Sequence, residues 1–116
     1  MGDEPILHLT TEVAWERARE TGELRPPGFD DEGFVHCSTR AQVVGTILRH
    51  FPEAGELLLL ELDPAAVAGD LRWEESRPGE RFPHLYRPLR PADVVATHRW
   101  RRGADGSVAL PASLAR

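Results

Sequence analysis

The stretch Gly33-Phe34-Val35-His36-Cys37-Ser38-Thr39 reads as a short strand running straight into a helix. Side chains alternate across a strand. Val35 and Cys37 therefore share one face of a strand over Gly33 to Ser38, and Phe34, His36 and Ser38 share the other. Thr39-Arg40-Ala41-Gln42 then has the form of a capping box, with the Thr39 hydroxyl on the Gln42 amide and the Gln42 side chain reaching back. Val43, Val44, Ile47, Leu48 and Phe51 follow at helical spacing, and Pro52 ends the helix.

Upstream, Ile6 to Thr10 reads as a first strand, with Leu7 and Leu9 on one face and Ile6, His8 and Thr10 on the other. Thr10 or Thr11 can cap a helix from Glu12 to Thr21, where Ala14, Trp15 and Ala18 are helically spaced and Gly22 suits the position just past the end. Glu23 to Glu32 reads as a loop, since Pro26-Pro27-Gly28 breaks regular structure and Asp30-Asp31-Glu32 is acidic. Its length suits a binding loop or lid and a solvated connection equally well.

Downstream, Glu56 to Asp63 is a continuous apolar run between Gly55 and Pro64, the pattern of a buried strand. Pro64 to Gly69 suits one helical turn. Leu71 to Glu74 is a further strand, with Leu71 and Trp73 inward and Arg72 and Glu74 opposite. Ser76 to Arg81 forms a turn. Phe82 to Tyr86 is extended, and Pro83, lacking an amide donor, points to an edge or irregular piece. Arg87 to Pro91 is loop. Asp93 to Trp100 is the last strand, built on Val94-Val95-Ala96. The small, polar tail from Gly103 is expected to be loosely held beyond a turn at Asp105-Gly106. Two clear helices in the N-terminal half and mainly strands after them argue for an α+β fold with a largely antiparallel sheet. The expected organisation is one domain over residues 1–116, with an ordered core from about 5 to 102 and a tail over 103–116.

Composition narrows the function. Of 116 residues 41% are hydrophobic and 28% charged, and the net charge is −5, which disfavours generic binding to nucleic-acid phosphates. All 14 basic residues are arginine, so lysine nucleophiles and Schiff bases are excluded. The apolar run Leu57 to Leu60 is far too short to span a bilayer. The N-terminus lacks the basic start and apolar segment of a secretory signal, and Ile6 breaks the myristoylation pattern that Met1-Gly2 begins. With a single cysteine, a reducing cytoplasm is the expected location.

His8 and His36 each sit mid-strand between apolar neighbours, with Thr10 and Ser38 two residues on. Alternation puts all four on one second surface, which suggests a shared cleft; for either histidine alone a structural role is the plainer reading. A Cys–His nucleophilic pair at His36-Cys37 fails, because adjacent strand residues point to opposite sides. Cys37 reads as a small buried hydrophobe. No His-Glu-x-x-His, Cys-x-x-Cys, Gly-x-Ser-x-Gly or Gly-rich phosphate loop occurs, and no metal is expected; a metal would need His8, His36 and His84 to converge. The helix start after Thr39, with Arg40 in its first turn, is a candidate anion site for a diphosphate or ribose. Arg72 and Glu74 share a strand face and either neutralise each other or offer Glu74 to a ribose hydroxyl. His84 and Tyr86 project together as a cleft wall, or as an aromatic edge packed on Trp73 or Trp100.

The combination of Leu7-His8-Leu9-Thr10-Thr11, Trp15, Gly33 to Thr39 with Gln42, Leu71-Arg72-Trp73-Glu74, and Arg81 to Tyr86 with Pro88-Leu89 resembles the domain-of-unknown-function family 952, small bacterial proteins grouped by fold with the ADP-ribosyltransferases. The resemblance spans roughly residues 6 to 99. It implies an ADP-ribosyltransferase-like split sheet gripping NAD, with NAD as co-substrate. It also implies that His8 looks like the holder of the nicotinamide end, His36 to Thr39 like the hydroxyl-bearing second strand, and Glu74 like the ribose-activating glutamate. The sequence departs from that pattern in having His36 where serine or tyrosine is usual and in lacking a Gln/Glu-x-Glu signature. Paired strand histidines look more like the RNA 2′-phosphotransferase branch. The expected site therefore has His36 and Glu74 as catalytic groups, and His8, Thr10, Ser38, Arg72, His84 and Tyr86 contacting a nucleotide-like small molecule. The alternatives are a non-catalytic ligand-sensing or protein-interaction module, and a small hydrolase of a phosphorylated metabolite.

Overall fold

The Gly33 to Thr39 stretch is divided between two sheets. In the computed structural model, which describes residues 4–114, Val35–His36 (β2) pairs with Glu80–Leu85 (β6), and Ser38–Thr39 (β3) pairs with Ile6–Thr10 (β1). The readings on Met1-Gly2 and on the last two tail residues lie outside the described residues. The expected single strand is thus corrected: the chain changes sheet at Cys37. The Cys37 amide donates to the Pro83 carbonyl at 3.0 Å. Residue 83 cannot return the bond, because proline has no N–H. The ladder is halved there, and the chain departs.

The larger sheet has the order β3-β1-β4-β7, where β4 is Glu56–Leu62 and β7 is Val94–Arg101; the smaller has the order β2-β6-β5, where β5 is Leu71–Arg77. Every strand pairing among the described residues is antiparallel. With the helices, the fold is α+β.

β1 and β4 are the central strands of the larger sheet, and both of its faces are covered. Ile6, Leu58, Leu60 and Leu62 join one core cluster with Val35, Cys37 and Leu85. Leu7, Leu9, Leu57 and Leu59 join a second with Val43, Ile47 and Trp100. Two-sided burial explains the unbroken leucine run.

Helix α1 covers Glu12–Thr21: the Thr11 hydroxyl accepts from the Ala14 amide at 3.1 Å, and Gly22, at φ 92°, closes the C-terminus. Thr10 is left to β1. The Thr39–Gln42 cap forms, with the Thr39 amide donating to Gln42 Oε1 at 3.0 Å. A 3₁₀ turn over Arg40–Gln42 precedes helix α3, Val43–His50, which buries Val43 and Ile47. A short helix α4, Pro64–Val67, follows β4 with Asp63 as its cap.

Four expectations are corrected. The 23–32 loop contains a helical turn, α2, over Phe29–Glu32, bounded by Gly28 and Gly33 in left-handed conformations. Its acidic residues suit a helix start, and buried Phe29 anchors it to the core. β6, despite Pro83, is the central strand of the smaller sheet. Trp73, although on the Leu71 face of β5 and opposite Pro83, is 45% exposed rather than buried. The tail is held: Leu114 is buried, Val108 and Leu110 pack on the second core cluster, and Trp100 Nε1 donates to the Ala109 carbonyl at 2.9 Å. These apolar side chains complete the cover over Trp100.

An ion-pair network centred on Arg87 holds the segment before β7. Arg87 forms a two-pronged contact with Asp93, Nη1 to Oδ2 at 2.9 Å and Nη2 to Oδ1 at 3.1 Å, and Arg87 Nε donates to Asp70 at 2.9 Å. Among the described residues no helix is long and apolar enough to cross a membrane, which says nothing of a β-barrel.

Candidate functional site

A cleft of about 1350 Å³ is lined by residues of β1, β2, β3 and the β5 end and walled by α1, α3 and the 23–28 loop. His8, Thr10, His36 and Ser38 all line it. The four residues selected by strand alternation are therefore brought together.

His8 is buried, and its Nδ1 lies 2.8 Å from the His36 carbonyl oxygen. A carbonyl only accepts, so Nδ1 carries the hydrogen and Nε2 a lone pair. That Nε2 is buried and has no partner among the described residues. Burial pushes the His8 pKa down to about 4; the His36 carbonyl bond opposes this, and the charge of His36 adds to it. Near neutral pH His8 is an uncharged acceptor.

Ser38 and Thr46 hydroxyls lie 3.1 Å apart, and Thr46 Oγ1 donates to the Gln42 carbonyl at 3.0 Å. The Thr46 hydrogen being used, Ser38 is the donor of that pair. Arg77 Nη2 also donates to Thr46 Oγ1, at 3.3 Å. The cleft floor is thus a hydrogen-bonded chain that joins β3, α3 and β5.

His36 Nε2 donates to Glu32 Oε1 at 2.9 Å. Its ring meets Phe34 edge-on at 4.8 Å and His84 at 5.2 Å between centroids. Glu32 lines the cleft too.

Among the residues lining the cleft, Arg17, Arg25, Arg49 and Arg77 outnumber Glu23 and Glu32, although the chain is acidic. Arg17 and Arg49 line it, and neither has an ion pair among the described residues. Burial first, and then repulsion by His36 when it is protonated and by Arg77 and Arg49, push the pKa of His50 in the same cleft below its ordinary value.

Arg72, Glu74, His84 and Tyr86 do not line this cleft. They form a neighbouring cluster on the smaller sheet that shares only the His36 ring with it. Glu74 Oε1 accepts from Tyr86 Oη at 2.6 Å and from His84 Nδ1 at 2.8 Å. These two bonds, Tyr86 foremost, hold the Glu74 carboxyl below its usual range, and the Glu74 bond raises the Tyr86 phenol. Phe34 stacks on His84 at 4.1 Å, and the Arg72 guanidinium lies 5.1 Å from the Tyr86 ring centre. His84 and Tyr86 thus pack on Phe34, not on Trp73 or Trp100. His84 Nε2 is buried without a partner among the described residues.

The anion site expected at the helix start is filled from within. Glu4 Oε2 accepts from the Arg40 amide at 3.0 Å and lies 3.7 Å from Arg40 Nε. Cys37 is buried, and burial raises its thiol to about 12. Among the described residues no three His, Cys, Asp or Glu side chains converge as a metal-holding group.

The profile of the family described as "Protein of unknown function (DUF952)" matches residues 9–97. The chain belongs to this family. Among solved structures it is similar to protein CC0527 from Caulobacter crescentus: the crystal structure is 33% identical, covers 97% of this chain and 99% of that one, and superposes with a TM-score of 0.86. The solution NMR structure of CC0527, also 33% identical, covers 88% of this chain and 89% of that one with a TM-score of 0.76. No curated protein matches the chain significantly. The DUF952 match contains Thr10, His36 and Ser38 of the cleft, and His8 lies one residue before it.

Sequence reasoning missed Glu32, Thr46, Arg49 and Arg77. Glu32 sits in the acidic run flagged in the loop, which was its one signal. The others reach the cleft only through packing of α3 and β5.

Proposed function

We propose that the cleft binds a nucleotide-type anion, NAD or an ADP-ribose-like molecule, in a cytoplasmic protein of ADP-ribosyltransferase-like architecture that acts as an ADP-ribosyl- or 2′-phospho-transferase-like enzyme. The convergence of His8, Thr10, His36 and Ser38 in one cleft carries this reading. The division of the strands into two sheets beside it fits a split-sheet architecture. The cleft exceeds the ~300–1,000 Å³ of ordinary small-molecule pockets and has room for a dinucleotide. Arg17 and Arg49 offer charge to a diphosphate. The orphaned acceptor on His8 calls for a ligand hydroxyl or amide, because a buried polar atom without a partner costs ~1–3 kcal/mol.

A second reading is a non-catalytic sensor using the same cleft. It is favoured by Glu74, the nominated ribose-polarising carboxylate, which is bonded to Tyr86 and His84 outside the cleft. A thermal-shift series with NAD, ADP-ribose, adenosine and inorganic phosphate tests both. A ligand at a hundred times its Kd stabilises the native state by ~2.7 kcal/mol. The reading expects NAD or ADP-ribose to raise the midpoint more than adenosine does; no shift with either dinucleotide-type ligand sinks it.

A further inference from the structure

We infer that the carboxylate partner of His36 is Glu32, and that the pair serves the cleft as a general base, with Glu32 as positioning residue and His36 as the group that takes the proton. This deepens the nucleotide reading above and rests on it.

An exposed carboxylate–imidazole contact is ordinarily a weak surface pair. His36 and Glu32 side chains are 51% and 44% exposed, so the contact alone says little. The surroundings say more. The His36 ring is bounded by Phe34 and His84, and its own carbonyl is held by His8. Glu32 ends a helical turn that is anchored by buried Phe29. Gly28, at φ 90°, leaves room for the carboxylate; a Cβ there would stand 3.3 Å from Glu32 Oε1. With Nε2 donating to Glu32, Nδ1 is the nitrogen free to accept, and it has no partner among the described residues. An imidazole oriented by a carboxylate, on a residue that lines a cleft and with its second nitrogen unpartnered, is the arrangement of a general base. Glu74 cannot fill the same role, since its bonds go to His84 and Tyr86.

With NAD in the cleft and water as acceptor, the balanced step is hydrolysis. The water oxygen forms a bond to C1′ of the nicotinamide ribose. The C1′–N bond breaks, and its electron pair leaves with neutral nicotinamide. The water proton passes to His36 Nδ1 and then to solvent, leaving ADP-ribose.

The test measures nicotinamide release and, in parallel, the NAD-induced thermal shift for the intact chain, Glu32→Ala and Glu32→Gln. The expected result is turnover by the wild type and a fall in kcat of about a hundredfold in Glu32→Ala with KM unchanged, as a misplaced catalytic group gives. Glu32→Gln, whose amide oxygen can still accept from Nε2 but carries no charge to stabilise the imidazolium, should lose turnover too, yet keep the wild-type melting midpoint more closely than Glu32→Ala does. A structural role alone would lower the melting midpoint of Glu32→Ala without lowering the turnover of Glu32→Gln. Undiminished kcat in Glu32→Ala overturns the assignment of Glu32. NAD binding without turnover by the wild type overturns the general-base inference and leaves the binding reading standing. Absence of NAD binding overturns both.

Discussion

His8 donates its Nδ1 hydrogen to the backbone carbonyl of His36, 2.8 Å away, and so ties a central strand of one sheet to an edge strand of the other. The bond selects the His8 tautomer and leaves Nε2 as a buried acceptor in the cleft. Fold and candidate site meet in this one contact.

A pH dependence follows from it. The folded His8 pKa, about 4, lies below the ordinary 6.5. As pH falls below the ordinary value, the unfolded chain takes up a proton that the folded chain refuses, so stability is lost between about 6.5 and 4 and is unaffected above that window. The loss attributable to His8 is on the order of 3 kcal/mol. Urea unfolding of wild type and His8→Asn at pH 7.5 and pH 4 checks this. The wild type should lose more stability on acidification than the variant, which cannot titrate at this position.

Arg87 and Asp93 form a buried pair with side chains 12% and 6% exposed. Arg87→Ala should destabilise the fold by about 3 kcal/mol, because buried Asp93 is left with the Arg90 amide, 2.8 Å away, as its remaining partner. Arg87→Met with Asp93→Leu should cost much less than the single change. Denaturant midpoints of the two variants decide it.

The tryptophans should behave differently. Trp100, 1% exposed, lies in the second core cluster, and Trp100→Ala should cost ~3–5 kcal/mol. Trp73 shares the Leu71 face of the edge strand β5 but is 45% exposed, and Trp73→Ser should cost well under half of the Trp100→Ala loss. A loss at Trp73 as large as that at Trp100 would mean that the exposed part of its ring is covered.

Much of this was legible from local pattern. The strands β1 and β4 and the helices α1 and α3 announce themselves through apolar periodicity, Thr11, the Thr39–Gln42 cap and Gly22. Alternation alone grouped His8 with Thr10 and His36 with Ser38. The split at Cys37 was not legible, because the alternating pattern runs unbroken through it. What divides the stretch is the choice of partners, β6 for Val35–His36 and β1 for Ser38–Thr39, far away in sequence. Trp73 misled for a related reason: an apolar side chain on an edge strand does not reveal whether anything covers it. The tail misled because Val108, Leu110 and Leu114 follow no period and bury against Trp100 one at a time. Glu32 and Thr46 act through space, and no spacing rule connects them to His36 and Ser38.

The anion reading predicts a charge effect. Arg49→Glu should weaken ADP-ribose binding by about tenfold, ~1.4 kcal/mol, and added salt should narrow the gap between variant and wild type. Calorimetric titration at two salt concentrations reads both.

The account stands most directly on a titration of ¹⁵N-labelled protein with ADP-ribose, followed through the ring nitrogens of His8 and the amides of Thr10 and Ser38. It predicts a neutral Nδ1–H tautomer for free His8, and saturable shifts of His8 Nε2 and both amides along one binding curve. Binding that leaves His8 Nε2 unmoved, or no binding at all, would contradict it.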